Sequence, residues 1–152
     1  MLISLQLDDK AKKTIRKLIK NDESLIDNLH IKAWLNEGTR VMCYILKEND
    51  NIVSFALLNK VDYDPLETHT NPILFGFIYT FENERNKGYG SKLVNHIKKG
   101  NQLTGFCNSD ISVALFEKCG YSVICGILRF PPSVYTQEIT RECIFKNKLL
   151  GL

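Results

Sequence analysis

The spacing of apolar and polar residues predicts alternating strands and helices in the first half of the chain. Residues 2–7 are mostly apolar and predict a strand. A pair of aspartates then precedes apolar residues at helical spacing, which predicts a helix that buries Ala11, Ile15, Leu18 and Ile19. A second amphipathic segment is predicted from Ser24, its expected N-terminal cap, to Leu35. Two apolar runs, 41–46 and 52–58, flank the polar stretch KENDN and predict a β-hairpin.

The second half of the chain continues the alternation of predicted strands and helices. Residues 72–81 (PILFGFIYTF) are almost wholly apolar, as expected of a strand that is buried on both faces. The remaining predicted elements are a helix over 89–99, a strand over 102–107, a helix that Asn108, Ser109 or Asp110 caps and Gly120 ends, and strands over 122–128 and 141–145. Together they predict one α/β (α+β) domain over residues 1–152, with a mixed central sheet of six or seven strands and helices on both faces.

The most informative stretch is RNKGYG, residues 85–90, where the apolar strand leads into a helix. A glycine-bearing turn of this kind leaves backbone N–H groups unpaired and lets an anion such as pyrophosphate approach them. Two better-known phosphate loops fail on spacing. Leu93 stands where the dinucleotide fingerprint needs a third glycine, and the Gly-Lys-Ser/Thr ending of the nucleoside-triphosphate loop is missing. The alternative is that Gly88 and Gly90 simply make a tight turn.

Composition and charge narrow the class of protein. The chain is 44% hydrophobic and 24% charged, which is typical of a globular domain and excludes a disordered one. Its net charge of +3 is far below that of a dedicated nucleic-acid binder, so direct nucleic-acid binding is not expected. The basic stretch KAKKTIRKLIK is interpreted as the solvated face of a helix.

Cysteine usage and the N-terminus predict the compartment. The five cysteines are odd in number and contain no C-x-x-C pair, so neither a disulfide framework nor a metal site is predicted. No signal peptide and no run of membrane-spanning length is present in the sequence. We therefore expect an intracellular protein, cytoplasmic or nuclear, without membrane association. The sequence does not indicate an oligomeric state.

Two landmarks in the right order resemble the GNAT superfamily of acetyl-CoA-dependent N-acetyltransferases. The family's turn reads Gln/Arg-x-x-Gly-x-Gly/Ala, and Arg85, Gly88 and Gly90 fill its fixed places. The continuation GYGSKLVNHIKKG is similar to the histone/lysine acetyltransferase branch, and ALFEKCGY resembles the second landmark, an aromatic helix that ends in Gly-Phe or Gly-Tyr. The resemblance implies the GNAT fold, acetyl-CoA as co-substrate, and a primary amine as acceptor: a protein lysine, an N-terminus or a small amine.

The resemblance also implies a cofactor site. The turn amides of the family hold the pyrophosphate, which here implies Arg85, Asn86, Lys87, Gly88, Tyr89 and Gly90, with Ser91 as an extra donor. The strand before the turn pairs with the pantetheine through its backbone, which implies Tyr79, Thr80 and Phe81. In the family this strand and the next splay apart around the thioester, which places Asn108 and Phe116 beside the thiol.

The catalytic positions depart in part from the family's pattern. A main-chain N–H near Thr80 is the implied oxyanion partner, and Phe116 stands where many relatives have a tyrosine, although the histone branch also has phenylalanine there. Leu74 occupies the position of that branch's glutamate base. Another base is therefore needed, or none acts. The candidates are Glu82, taken first, and Glu84, His69, Asp62, Asp64 and Glu67.

Three further expectations complete the hypothesis. The acidic loop with Asp62, Asp64 and Glu67 is predicted to attract a cationic amine, with a solvated hairpin loop as the alternative. Cys107 is interpreted as a packed thiol rather than an acyl-accepting nucleophile. Because Leu74 removes the usual base, a noncatalytic acetyl-CoA-binding module is the competing function.

Overall fold

The computed structural model describes residues 1–38, 40–62, 64, 69–105, 107, 109–124 and 127–129. Along these residues the elements are β1 (Leu2–Leu7), α1 (Asp8–Ile19), α2 (Glu23–Ile26), α3 (Leu29–Asn36), β2 (Val41–Glu48), β3 (Asn51–Lys60), β4 (Pro72–Thr80), α4 (Tyr89–Ile97), β5 (Gln102–Thr104), α5 (Asp110–Lys118), β6 (Ser122–Ile124) and β7 (Ile127–Arg129). A short 3-10 turn over Glu82–Glu84 links β4 to the segment before α4.

The predicted α/β class is confirmed. Over the described residues the central sheet has five strands, slightly fewer than the six or seven predicted, in the order β1-β2-β3-β4-β5, all antiparallel except the β4–β5 pair. The single strand predicted over 122–128 is instead two short strands, β6 and β7, that pair with each other. The prediction was wrong because an apolar run does not reveal which partner a strand will pair with. The strand predicted over 141–145 lies outside the described residues.

Two apolar cores cover the two faces of this sheet. On one face, α1, α2 and α3 bury Ala11, Ile15, Leu25, Ile31 and Trp34 against the sheet residues Val41, Cys43, Ile45, Phe55 and Leu57. On the other face, α4 and α5 bury Leu93, Val94, Ile97 and Phe116 against Leu46, Leu58, Ile73 and Phe75. The predicted arrangement of helices on both faces is therefore correct.

The helical segment predicted from Ser24 to Leu35 is two helices, and Ser24 is not the cap. The carboxylate of Asp22 accepts a hydrogen bond from the Ser24 N–H at 2.9 Å and begins α2. The side chain of Asn28 accepts from the N–H groups of His30 and Ile31 at 2.9 and 3.1 Å and begins α3. Aspartate and asparagine side chains compete with the helix for backbone donors, so a new helix begins at Asn28.

A β-bulge at Gly76 interrupts the alternation of side chains along β4. Leu57 of β3 faces Phe77 and Leu58 faces Phe75, which leaves Gly76 as an extra residue. As a result, Phe75 packs in the core under α4 and α5, whereas Phe77 packs against the opposite core. In a regular strand without a bulge, Phe75 and Phe77 would be two positions apart and their rings would lie on the same face of the sheet.

Trp34 fastens α3 to the sheet beside this bulge. Its side chain is 4% exposed, and its indole Nε1 donates a buried hydrogen bond to the Leu58 carbonyl oxygen at 2.9 Å. Leu58 is one of the two β3 residues that flank the bulge. Because α3 has eight residues, this single bond has a large influence on where the helix lies.

We expect the Trp34→Phe variant to unfold more easily, because it leaves the buried Leu58 carbonyl without this donor. The expected loss in the free energy of unfolding is about 1–3 kcal/mol, in addition to the loss of apolar contact. Urea unfolding followed by circular dichroism measures it.

The matched control for this variant is Tyr44→Phe. It removes a hydroxyl that accepts from Asn101 Nδ2 at 3.2 Å, and the same Nδ2 keeps its bond to the Ile97 carbonyl at 2.7 Å. We expect a loss of under about 1 kcal/mol for the control. Equal stabilities of the two variants would contradict the anchoring role of Trp34.

Candidate active site

A gap opens between β4 and β5 beyond the point where the two strands stop pairing. Over the described residues, the two strands pair from Pro72 opposite Gln102 to Leu74 opposite Thr104, where β5 ends. β4 continues six residues further, to Thr80. This part of β4 is bonded to β3 on one side and faces the gap on the other.

The backbone of β4 presents hydrogen-bonding groups to this gap. The Phe81 N–H donates to the Val53 carbonyl of β3 at 3.1 Å. Successive N–H groups of a strand point in opposite directions, so those of Thr80 and Ile78 point toward the gap. The Thr80 carbonyl, on the same edge, accepts from Arg85 Nε at 2.9 Å.

A cavity of about 200 Å³ lies in the gap, and its lining residues come from both faces of the sheet. It is lined by residues 75–78 of β4, by Cys107, by Ser112 and Phe116 of α5, and by His30 of α3. Phe116, predicted to lie beside the thiol end of the cofactor, is thus at the cavity wall, with its ring edge-on to Phe75 at 5.2 Å. Asn108, predicted beside it, lies outside the described residues.

The predicted anion-binding turn follows the end of β4. Asn86 and Gly88 adopt left-handed backbone conformations, with φ of 65° and 80°, and residues 85–88 are exposed. The first bond within α4 runs from the Lys92 N–H to the Gly88 carbonyl at 3.1 Å. The N–H groups of residues 89–91 precede it and therefore have no acceptor within the helix.

The two glycines of the turn serve different purposes. Position 88 requires glycine because its φ is positive. A Cβ there would meet no atom within 4 Å, but a residue with a side chain would strain the backbone in this conformation. At Gly90 the φ is ordinary, and a Cβ would lie 3.7 Å from Leu115 Cδ1, an ordinary contact. Alanine therefore fits at Gly90 but not at Gly88.

Two cationic side chains, Arg85 and Lys87, belong to the turn that precedes the amides of residues 89–91. The Arg85 guanidinium lies over the Tyr79 ring, 5.3 Å from its centroid, and holds the turn against the strand through Thr80. Lys87 Nζ forms an ion pair with Glu84 Oε2 at 3.0 Å. The hydrogen bond to Glu84 raises the pKa of Lys87, so this ammonium stays charged at neutral pH. The turn thus combines amides that lack helical acceptors with the Arg85 cation and a Lys87–Glu84 ion pair.

The residues predicted to be catalytic occupy two different places. The Thr80 side chain lies on the α4 side of β4, with its hydroxyl 3.1 Å from Ser54 Oγ. Ser54 in turn donates to the Tyr79 carbonyl at 2.9 Å. Glu82 is exposed and lines a separate groove with Glu23 of α2. The role of Glu82 as base stays a prediction, and the structure gives it no contact with the gap.

The acidic loop has partners within the chain. Asp62 Oδ1 pairs with Arg40 Nη1 at 3.1 Å. Asp64 is 4% exposed, and its Oδ2 accepts from the His69 N–H at 3.0 Å. Glu67 lies outside the described residues. Asp64 is thus held by a buried backbone contact and Asp62 by an exposed ion pair, and the substrate contact expected of this loop stays a prediction.

Cys107 is a packed, uncharged thiol at the cavity wall. Burial, with a smaller contribution from the nearby Glu117 carboxylate, raises the pKa of Cys107 to about 11. The thiolate is the nucleophilic form of cysteine, so the side chain is unreactive at neutral pH. This agrees with the interpretation made from the sequence.

Sequence reasoning missed His30 and Glu37 of the α3 region. The His30 ring stacks on Phe77, with centroids 6.1 Å apart and an angle of 19°. It lines the first cavity and also a second one, of about 270 Å³, which Trp34, Glu37, Asn59 and Leu74 help to form. No motif surrounds His30, and its position depends on how α3 docks against the bulge of β4. No local signal in the sequence could therefore have found it.

Comparisons with known proteins identify the family to which this geometry belongs. A family model described as an acetyltransferase (GNAT) domain matches residues 39–123, more than half of the chain. A search of curated protein sequences finds no match. In the part of the chain that the structure describes, no helix combines the length and the apolar character needed to cross a bilayer.

Solved structures share the fold at low sequence identity. The chain is similar to the aminoglycoside N-acetyltransferase AAC(6')-Iy in complex with CoA, at 14% identity and a TM-score of 0.56, over 89% of this chain and 97% of that one. It is similar to Arabidopsis thaliana NAA60 in complex with acetyl-CoA, at 9% identity and a TM-score of 0.50, over 81% and 86%. These neighbours do not single out the histone/lysine branch.

A third solved structure with a similar fold is a complex with DNA. The KacTA–DNA complex is similar at 14% identity and a TM-score of 0.55, over 96% of this chain and 99% of that chain. Such a likeness shows the fold alone. The expectation that this chain does not bind nucleic acid directly therefore stays a prediction.

Proposed function

Because the chain belongs to the acetyltransferase (GNAT) domain family, we propose that it transfers the acetyl group of acetyl-CoA to a primary amine by direct attack in a ternary complex. One observation carries this proposal: amides without helical acceptors at the start of α4 are followed, along the gap-facing edge of β4, by a cavity. A long ligand with an anionic end and a reactive end fits that path. The fold neighbours solved with CoA and acetyl-CoA support the same ligand.

The turn would hold the pyrophosphate. The amides of residues 89–91 lack helical acceptors, and the positive end of the α4 dipole adds to their attraction for an anion. Arg85 and Lys87 precede these amides in the turn, and Arg85 supplies positive charge, whereas Lys87 is paired with Glu84. Gly88 allows the turn to form, whereas Asn86, Tyr89 and Ser91 contribute through the backbone.

The pantetheine would lie along β4. About 13 Å of strand separates Gly76 from Thr80, at the usual rise per residue. The N–H groups of Ile78 and Thr80 point to this edge and suit the amides of an extended ligand. Tyr79 and Phe81, also predicted along the cofactor, have their side chains in the opposite core.

Acyl transfer requires a donor for the oxyanion that forms when the amine attacks the thioester carbonyl. The Ile78 N–H, two residues before the predicted Thr80, belongs to a residue of the cavity wall and is the better placed of the two. Phe116 has no proton to give to the departing thiolate. Its ring instead closes the apolar side of the cavity around the thioester.

The second cavity is suited to the acceptor. It adjoins the first at Phe75, Gly76 and His30, and Glu37 contributes a carboxylate that attracts a cation. A protein lysine, an N-terminal amine and a small amine all meet this requirement. Leu74 lies in this cavity without an ionisable group, which favours the second candidate function, a domain that binds acetyl-CoA without transferring its acetyl group.

We expect the Gly88→Ala variant to bind acetyl-CoA at least about tenfold more weakly, because the turn amides no longer meet the pyrophosphate together. Calorimetric titration of the folded variant with acetyl-CoA measures the dissociation constant. Turnover with a panel of amines then separates transfer from simple binding.

Gly100→Ala is the matched control for this variant. Gly100 has a φ of 81°, close to the 80° of Gly88, and a Cβ added at either position would meet no atom within 4 Å. Both variants should lose about 1–2 kcal/mol of stability from the strained backbone. Only Gly88→Ala should lose affinity, and equal affinities for the two variants would contradict the pyrophosphate site.

We expect Glu37→Gln to raise the KM for a cationic amine about threefold, with kcat unchanged, because it removes the carboxylate that attracts the acceptor. The effect is modest because Lys12, which donates to the Glu37 and Gly38 carbonyls, offsets part of the charge. Steady-state kinetics with acetyl-CoA saturating measures both constants.

The comparison variant is Asp62→Asn, which neutralises an exposed carboxylate of the acidic loop. If the acceptor approaches through the second cavity, this variant keeps the KM of the unmodified protein. A raised KM for Asp62→Asn with none for Glu37→Gln would instead support the acidic loop as the acceptor site.

A further inference from the structure

The acceptor amine must be neutral to attack, and it must lose a proton when the amide forms. The described β4 residues that line the two cavities carry no ionisable side chain. Glu82 lines another groove, and Cys107 is held as an uncharged thiol. The site therefore needs a proton acceptor from another element.

His30 lies where the two cavities meet. Its side chain lines both of them, as do Phe75 and Gly76 of β4. The gap between β4 and β5 brings His30, on the α3 face of the sheet, to the same cavity as Phe116, on the α5 face. An amine that passed from the second cavity to a thioester in the first would pass the imidazole.

We propose that His30 is the general base that accepts the proton of the acceptor amine. The inference rests on the proposed acetyl transfer. A protonated acceptor amine gives one proton to an unprotonated imidazole nitrogen of His30, and the neutral amine nitrogen then bonds to the carbonyl carbon. The carbon–sulfur bond breaks, the departing thiolate takes up the proton that the new amide nitrogen loses and becomes the free thiol, and the imidazolium releases its proton to solvent.

The local structure fixes the position of the imidazole. The Asn28 side chain accepts the His30 N–H and so sets the first turn of α3. Trp34 is four residues later, on the same face of the helix, and is anchored to the Leu58 carbonyl. Phe77 supports the flat side of the ring by stacking. The side chain remains exposed, so it can exchange its proton with water.

Few charged groups surround His30. Of the described residues that line the two cavities, the other titratable ones are Glu37 and Cys107. The polar residues that β3 and α5 contribute to the cavity walls are Asn59 and Ser112, which do not titrate near neutral pH. An imidazole is the side chain best suited to take up and release a proton near neutral pH.

The test compares His30→Gln with His96→Gln. His96 is also exposed, lies on α4 and contacts the edge of the Tyr44 ring at 5.9 Å, and it lines neither cavity. We expect His30→Gln to lower kcat/KM by about 100-fold or more for a basic amine and to remove the acid-side limb of the pH profile. Acetyl-CoA affinity and thermal stability should not change. The control should keep full activity.

Two further readouts separate a base from a merely structural residue. With a weakly basic amine that is uncharged at the assay pH, the loss in His30→Gln should be much smaller. In His30→Ala, added imidazole should restore part of the activity, because it can fill the space that the side chain leaves.

Three outcomes would overturn the assignment of His30 as the base. Wild-type kinetics and an unchanged pH profile in His30→Gln would overturn the base assignment and leave the proposed transferase function intact. An equal loss for all amines without imidazole rescue would also overturn it. If the wild-type protein transfers no acetyl group to any amine, the proposed function fails and the inference fails with it.

Discussion

The early end of β5 is the constraint on which the rest of the site depends. Backbone N–H and C=O groups in the middle of a sheet need partners, and β4 loses one neighbour after Leu74. The six residues that follow keep β3 on one side and present their other edge to a gap. That edge is the single place in the described central sheet where inner-strand backbone groups are available to a ligand and both cores come close to it.

The bulge at Gly76 and the turn after Thr80 suit this edge of β4 to binding a long ligand. The bulge puts Phe75 and Phe77 on opposite faces, so that one ring meets Phe116 and the other meets His30. The turn places the N-terminal end of α4 next to the end of the same edge. The candidate anion-binding turn, a row of backbone donors and a cavity thus follow one another along a single strand.

Sequence reasoning succeeded where the signal is local. The strand before the turn, the glycine turn at Gly88 and the start of α4 are all encoded by neighbouring residues, and Ser109, one of three expected caps, begins α5. It failed where the outcome depends on distant contacts. The pairing of β6 with β7, the bulge opposite Leu57 and Leu58, and the approach of His30 to β4 each require knowing what packs against what. The apolar run PILFGFIYTF could not reveal that its faces exchange at Gly76.

The most direct measurement is an amide NMR titration of the protein with acetyl-CoA. The account predicts the largest proton shifts at the amides of residues 88–91 and at the gap-facing amides of Ile78 and Thr80. The Phe81 amide, which is bonded to Val53, should shift much less. Shifts confined to other parts of the chain, or equal shifts at Thr80 and Phe81, would contradict a cofactor held by the turn and the open edge of β4.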